Sequence, residues 1–425
     1  MVETRVSGYE APFTVGAEYL TNGYPLIEAG DECMKLALIG FGQAGGKIVD
    51  RFLEYERQSN GSFVGATLAI NTAMADLMGL ELIPKTNRVL IGQSRVKGHG
   101  VGADNELGAD VTSEDVDEIQ RALDDVPVHE VDAFLIVAGM GGGTGSGGAP
   151  VLAKHLKRIY SEPVYGLGVL PATDEGGIYT LNAARSFQTF VREVDNLLVF
   201  DNDAWRSAGE SVEGGYAGIN EEIVRRFGLL FSAGEIRPGE QVAESVVDSS
   251  EIINTLGCGG VSTIGYASES VAPANGGLLA RFGTDRNGYE DLDTSNETNR
   301  ITSLVRKAAL GRLTLPAEIQ SAERALVLTS GPPERLSRKG IERGRKWIED
   351  ETGSMEVRGG DYPLPNADTV SSVVLLGGIH QVPRIKELQR VAAEAQDNIR
   401  ELRAQSEANV QQLVSTANGE LEPLF

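Results

Sequence analysis

Short runs of consecutive apolar residues alternate along this chain with stretches in which apolar residues recur every three or four positions, a pattern that predicts an α/β fold. Residues 35–39, 63–70, 88–91, 133–138, 164–170 and 197–200 read as strands. Residues 46–54 and 113–123, and the segment opening at Pro150, carry helical spacing between them. Strands that are apolar on both sides and interleaved with helices belong to a parallel sheet covered on both faces, with ligands bound beyond the strands' carboxyl ends. A longer helix over 215–231 sets Ile219, Ile223, Phe227 and Leu230 on one face and reads as a spine between two domains. Beyond it, strands at 261–267, 325–330, 355–358 and 370–376 with helices at 302–310 and 336–351 predict a smaller α/β domain. Ile385, Leu388, Ala392, Ala395, Ile399 and Leu402 continue the helical spacing for fewer heptads than a coiled coil needs, which predicts a helix packed on its own domain. The expected partition is a disordered amino-terminal extension at 1–33, a first domain with the central helix at 34–232, a second domain at 233–381, and a carboxyl-terminal helix and tail at 382–425.

Composition narrows the function classes. A chain of 425 residues exceeds what one core usually supports, in keeping with two domains. No apolar stretch reaches membrane-spanning length, and the first thirty residues lack a basic start followed by an apolar core, so a cytoplasmic protein with no direct membrane insertion is expected. Two cysteines, Cys33 and Cys258, and four scattered histidines give neither a disulfide framework nor a zinc motif. The net charge of −23 argues against nucleic-acid partners. Because the acids are spread along the chain, they fit a high-salt cytoplasm, where a dense carboxylate surface keeps proteins dissolved. The melting temperature is therefore expected to be higher in molar KCl than in dilute buffer; equal values would end that reading.

Candidate chemistry lies in two glycine loops. The run from Gly139 to Gly148 (GMGGGTGSGG) follows an apolar strand and leads into a helix, the context of a phosphate cradle in which backbone N–H groups and a helix's positive end converge on one anion. Thr144 and Ser146 add hydroxyls. A second loop, from Gly40 to Lys47 (GFGQAGGK), sits after the first strand and matches G-x-G-x-x-G. A dinucleotide site also wants an acid at the end of the second strand, where this chain has Asn71 and Thr72. The P-loop pattern fails as well, because Ile48 follows Gly46 and Lys47. A mononucleotide triphosphate held between two strand-end loops explains both runs better.

The string from Gly141 to Gly147 (GGGTGSG) resembles the signature of the tubulin/FtsZ superfamily, and the chain over roughly 34–400 resembles its archaeal CetZ branch. The resemblance implies a GTP-binding parallel-sheet domain joined by the long central helix to the smaller domain. It sets Gln43, Ala44, Gly45, Gly46 and Lys47 beside the phosphates of GTP or GDP, with Gly142, Gly143, Thr144 and Gly145 on the far side. Asn71, in 71–76, falls in the next loop, and 98–105 in the loop that senses the γ-phosphate. Glu175 matches the acid that binds ribose, and Asn202 the asparagine that contacts guanine. Tyr216 and Asn220, one helical turn apart, face the same way, so the ring can stack on the purine while the amide meets its Watson–Crick edge. Without the resemblance, Glu175, Asn202 and Tyr216 read as a turn carboxylate, a turn former and a core-edge residue. Mg2+ is implied on the β- and γ-phosphates, with no dedicated protein ligand evident.

The stretch from Val246 to Glu251 (VVDSSE) resembles the loop that one family subunit inserts into the nucleotide site of the next, which makes Asp248 and Glu251 the implied catalytic carboxylates. On the residues alone, Asp-x-x-Glu ahead of an apolar run is also a capping-box-like helix start. Val246 stands where relatives usually carry Asn, which implies slow hydrolysis. Implied partners are further copies of the chain, added head to tail into a filament, and other tubulin-like paralogues. The implied role is control of cell shape; the other reading is a nucleotide-binding structural or regulatory paralogue with little turnover. The last seven residues, 419–425, read as a frayed terminus.

Overall fold

The computed structural model describes residues 33–206, 212–235, 247–271 and 286–415. The expectations for 1–32, Val246 and 419–425 lie outside them. The strands are β1 (Leu36–Phe41), β2 (Val64–Asn71), β3 (Arg88–Leu90), β4 (Ala133–Gly139), β5 (Val164–Leu170), β6 (Asn196–Asp201), β7 (Val261–Ser270), β8 (Arg324–Gly331), β9 (Val357–Pro363) and β10 (Thr369–Gly377). In the first half the helices are α1 (Gly42–Ser59), α2 (Met74–Met78), α3 (Gln93–Val96), α4 (Asn105–Glu114), α5 (Val116–Asp124), α6 (Thr144–Ile159), α7 (Gly177–Glu193) and α8 (Asn202–Trp205). The second half adds α9 (Val212–Phe231), α10 (Ser249–Leu256), α11 (Arg286–Leu310), α12 (Arg338–Thr352) and α13 (Pro383–Ser415).

The ten strands among the described residues form one sheet in the order β3-β2-β1-β4-β5-β6-β7-β10-β8-β9. From β3 to β6 every pairing is parallel. A two-residue parallel match, Leu197 with Val261 and Leu198 with Ser262, links β6 to β7, after which β7, β10 and β8 run antiparallel and β9 lies parallel to β8. Side chains alternate between two cores, as strand geometry requires: Ala37, Ile39 and Phe41 join the cluster under α5 and α6, while Leu36 and Leu38 meet Ile48, Val49 and Phe52 of α1. Burial on both faces is why the strands read as continuous apolar runs. Ile219, Ile223, Phe227 and Leu230 of α9 are buried in the same cluster as Leu38 of β1 and Leu326, Val373 and Leu375 of β8 and β10, so the central helix spans both halves of the sheet.

Several boundaries differ from expectation for physical reasons. The helix expected to open at Pro150 begins at Thr144, because Gly147 and Gly148 are packed helical residues: a Cβ on Gly147 would overlap the Asn105 carbonyl, and one on Gly148 the Phe41 ring. Likewise α1 begins at Gly42 instead of 46. Tertiary packing here overrides glycine's poor helix propensity. The single helix expected at 113–123 is two, divided at Asp115, whose carboxylate accepts the Gly92 N–H at 2.6 Å. The strand expected at 355–358 begins at Val357, and Met355 is 94% exposed. Helix α7 gave no hydropathy signal because its buried face includes Thr180, Asn182 and Ser186. Helix α13 continues to Ser415, and it packs on α7 of the first half of the chain, correcting the expectation of its own domain.

Candidate functional site

Strand order reverses at β1: the chain turns to β2 on one side and to β4 on the other, opening a crevice beyond their carboxyl ends. A cavity of about 470 Å³ lies at those strand ends. The N-termini of α1 and α6 open at it, and their ends are bare. Phe41 and Gly143 precede them, neither helix has a side-chain cap, and neither carries an acid in its first turn. Their unpaired N–H groups and positive dipole ends are left for an anion. By contrast, α4 and α10 are capped by Asp104 and Asp248.

Gln43, Ala44 and Lys47 line the cavity from α1, and Gly142, Gly143, Thr144 and Gly145 line it from the second glycine run. Gly45 and Gly46 do not line it: a Cβ on Gly45 would overlap the Val137 carbonyl oxygen, and one on Gly46 would touch the Leu80 side chain. Asn71 also lines it, with its side chain engaged: the amide oxygen accepts Ala73 N–H at 3.1 Å and the amide nitrogen donates to Asp76 Oδ2 at 3.1 Å. Asp76 Oδ1 accepts from Gln43 Nε2 at 3.0 Å. A fixed carboxylate thus stands beside the N-terminus of α1, a residue the sequence reading passed over within its loop. Across the floor the Thr72 and Thr144 hydroxyls share a buried hydrogen bond of 2.7 Å.

The loop between α3 and α4 forms the next wall. Gly98, Gly100, Gly102 and also Ala103 have positive φ there, an arrangement that persists only when neighbours hold it. Asn182 of α7 does so: its buried amide nitrogen donates to the Ala103 carbonyl at 2.7 Å and the Gly141 carbonyl at 3.0 Å. Asn182 escaped the sequence reading because a lone Asn within a helix carries no pattern.

Glu175, Asn202, Tyr216 and Asn220 line the opposite end. The Asn202 amide oxygen is buried with no partner among the described residues, an acceptor open to a donor. Burial, with the nearby Glu175 charge, pushes the Tyr216 phenol up to about 12, so the ring stays neutral. Twelve of the fourteen binding residues expected from the sequence therefore share one cavity, and the other two, Gly45 and Gly46, sit in α1 between Ala44 and Lys47 without lining it.

Asp248 and Glu251 do not line this cavity. Asp248 caps α10, its Oδ1 accepting Glu251 N–H at 3.0 Å and the Ser250 hydroxyl at 2.6 Å. Glu251 is half-buried, and its Oε2 has no partner among the described residues. Burial raises its carboxyl above the ordinary range and the Asp248 charge adds to that, against a smaller pull from Arg358 and Arg345.

Comparison with known proteins places this geometry. The GTPase-domain model of the Tubulin/FtsZ family matches residues 35–209, and the model of the tubulin-like CetZ C-terminal domain matches 209–394. The chain is 73% identical over 373 residues to the tubulin-like protein CetZ1 of Haloferax volcanii, covering 87% of this chain and 94% of that one. The GDP-bound CetZ1 monomer from the same organism superposes with a TM-score of 0.76 at 69% identity, over 85% of this chain and all of that one. The GTPγS-bound protofilament of Haloferax volcanii CetZ2 gives a TM-score of 0.76 at 46% identity, over 86% of this chain and all of that one. With both family models matched end to end, the chain belongs to the tubulin/FtsZ family of GTPases, in its CetZ branch.

Proposed function

We propose that this chain is a cytoplasmic GTPase that assembles head to tail into filaments and helps control cell shape, hydrolysing GTP where two subunits meet. One observation carries the reading: the cavity gathers groups for binding a nucleotide, while the candidate hydrolytic carboxylates, Asp248 and Glu251, lie outside its lining. A site divided in this way is completed by a second copy, and a heterologous contact of that kind propagates into an open filament. The GTPγS-bound protofilament of CetZ2 supports it, as does the lack of any helix long and apolar enough to cross a membrane among the described residues.

In this reading the N–H groups opening α1 and α6 hold the phosphates, with Lys47 beside them. Glu175 takes the ribose, Tyr216 stacks on guanine, and the Asn202 and Asn220 amides meet its edge. A carboxylate fixed at the phosphate end suits a divalent cation, since Asp76 facing a bare triphosphate would repel it. Asp76 is thus the residue that would hold Mg2+, through water. Bound there, the ion supplies neutralising charge for the β- and γ-phosphates. Asp248 and Glu251 of the adjoining subunit orient the attacking water. After hydrolysis the loop at 98–105 loses its γ-phosphate contacts, which weakens the interface. Other tubulin-like paralogues are proposed as further partners.

A second reading, a nucleotide-binding structural or regulatory paralogue with little turnover, draws on Asp248 serving as a helix cap, a role that needs no catalysis. GTP hydrolysis measured against protein concentration, in molar KCl with Mg2+ and alongside light scattering, separates the two. A rate per subunit that climbs above a critical concentration, with scattering in step, is expected. A flat, negligible rate with GTP bound selects the second reading, and no GTP binding ends both.

A further inference from the structure

We infer that Arg384 is a positioning residue for the base and sugar end of the nucleotide pocket, an inference that rests on the guanine-nucleotide reading above. Arg384 stands at the start of α13, in the carboxyl-terminal part of the chain, yet its side chain is only 8% exposed. Nε donates to both carboxylate oxygens of Asp201, at 3.2 and 3.1 Å, and Nη2 donates to the Pro171 carbonyl at 3.2 Å. Asp201, 2% exposed, is the last residue of β6; it caps α8 by accepting Asp203 N–H and directly precedes Asn202. Pro171 follows β5, lines the cavity, and opens the turn that carries Glu175. A cross-link joins the same two segments nearer the surface, where Asp203 Oδ1 accepts the Thr173 N–H at 2.8 Å and its hydroxyl at 2.7 Å.

One planar fork therefore fixes the ends of two adjacent strands, each carrying a residue assigned to the nucleoside. Stability alone does not call for such a pair, since a buried ion pair is often replaceable by apolar residues without loss. What the fork supplies is direction: three hydrogen bonds from one rigid guanidinium hold Asp201 and Pro171 at a set spacing, which a lysine would not reproduce. Burial pushes the Asp201 carboxyl up to about 6 even against the pull of Arg384 toward ionisation, so the two side chains depend on one another.

The test compares wild type, Arg384→Lys, Arg384→Gln and the double variant Asp201→Asn with Arg384→Gln, which leaves no unpaired buried charge. Melting temperature, affinity for GTP and ATP, and affinity for inorganic tripolyphosphate are measured on each full-length chain in molar KCl. Arg384→Gln is expected to weaken GTP binding tenfold or more and to narrow the preference for GTP over ATP, with tripolyphosphate binding unchanged. Arg384→Lys is expected to fall between. The double variant is expected to recover melting temperature without recovering the preference. If preference returns together with melting temperature, or never changes, the residue is structural and the inference is overturned. Failure of wild type to prefer GTP over ATP would instead overturn the nucleotide reading beneath it.

Discussion

With Glu251→Ala, GTP turnover is expected to fall by about a hundredfold or more while the affinity of the isolated subunit for GTP stays at the wild-type value. The two effects separate because Glu251 does not line its own subunit's cavity. Its half-buried carboxyl, with one oxygen that has no partner among the described residues, is an acceptor held ready at the start of α10, and burial with the Asp248 charge makes it more basic than an exposed glutamate. In a loose phosphoryl transition state, proton abstraction yields little, so the loss is chiefly of water orientation. Filaments that no longer convert GTP to GDP should persist, and sedimentation should show more polymer at equal protein. Asp248 requires a gentler change, since alanine there would also remove the α10 cap at about 1 kcal/mol. Asp248→Asn keeps a capping oxygen and still removes the charge. Phosphate release, nucleotide affinity and pelleting on the same samples decide the matter: normal turnover in Glu251→Ala would remove it from the chemistry, and lost GTP binding would make it structural.

The strands were legible because both faces of the sheet are buried, which leaves uninterrupted apolar runs bounded by polar turns. The glycine runs were legible as a cradle but not as helix. Propensity takes Gly147 and Gly148 for loop, whereas their lack of a side chain is what lets α6 lie against α4 and Phe41. The residues that hold the site in shape were the hardest to find. Asn182, Asp76 and Arg384 act through hydrogen bonds to partners distant in sequence, Ala103, Gln43 and Asp201, and no local spacing marks them. The identities of Glu175, Asn202 and Tyr216 became informative only beside a family pattern, because a turn carboxylate, a turn amide and a half-buried aromatic are common in any α/β protein.

Gly45→Ala is expected to destabilise the fold by about 3 kcal/mol or more, the upper range for forcing a methyl into packed structure, whereas Gly142→Ala is expected to leave melting unchanged. Both glycines were expected at the phosphates from sequence, yet their surroundings are opposite. A Cβ at Gly45 would overlap the Val137 carbonyl oxygen, a backbone atom in a central strand that cannot swing aside, and would press on the Gly40 carbonyl carbon at 3.2 Å. The helix can admit it only by lifting off β4, which withdraws the first-turn N–H groups of α1 from the cavity they face. A cost of that size is a large fraction of the 5 to 15 kcal/mol typical of a domain, so nucleotide binding should fall with stability. A Cβ at Gly142 meets nothing within 4 Å, and its φ is not in the left-handed region. That methyl would project from a wall of the cavity, so reduced GTP affinity in a normally melting Gly142→Ala protein would measure how closely the phosphates approach that wall. Thermal melts of both variants in molar KCl, with and without GTP, distinguish packing from contact. Wild-type melting in Gly45→Ala would show that α1 can slide on the sheet, and the rigid cradle inferred from its glycine packing would then be wrong.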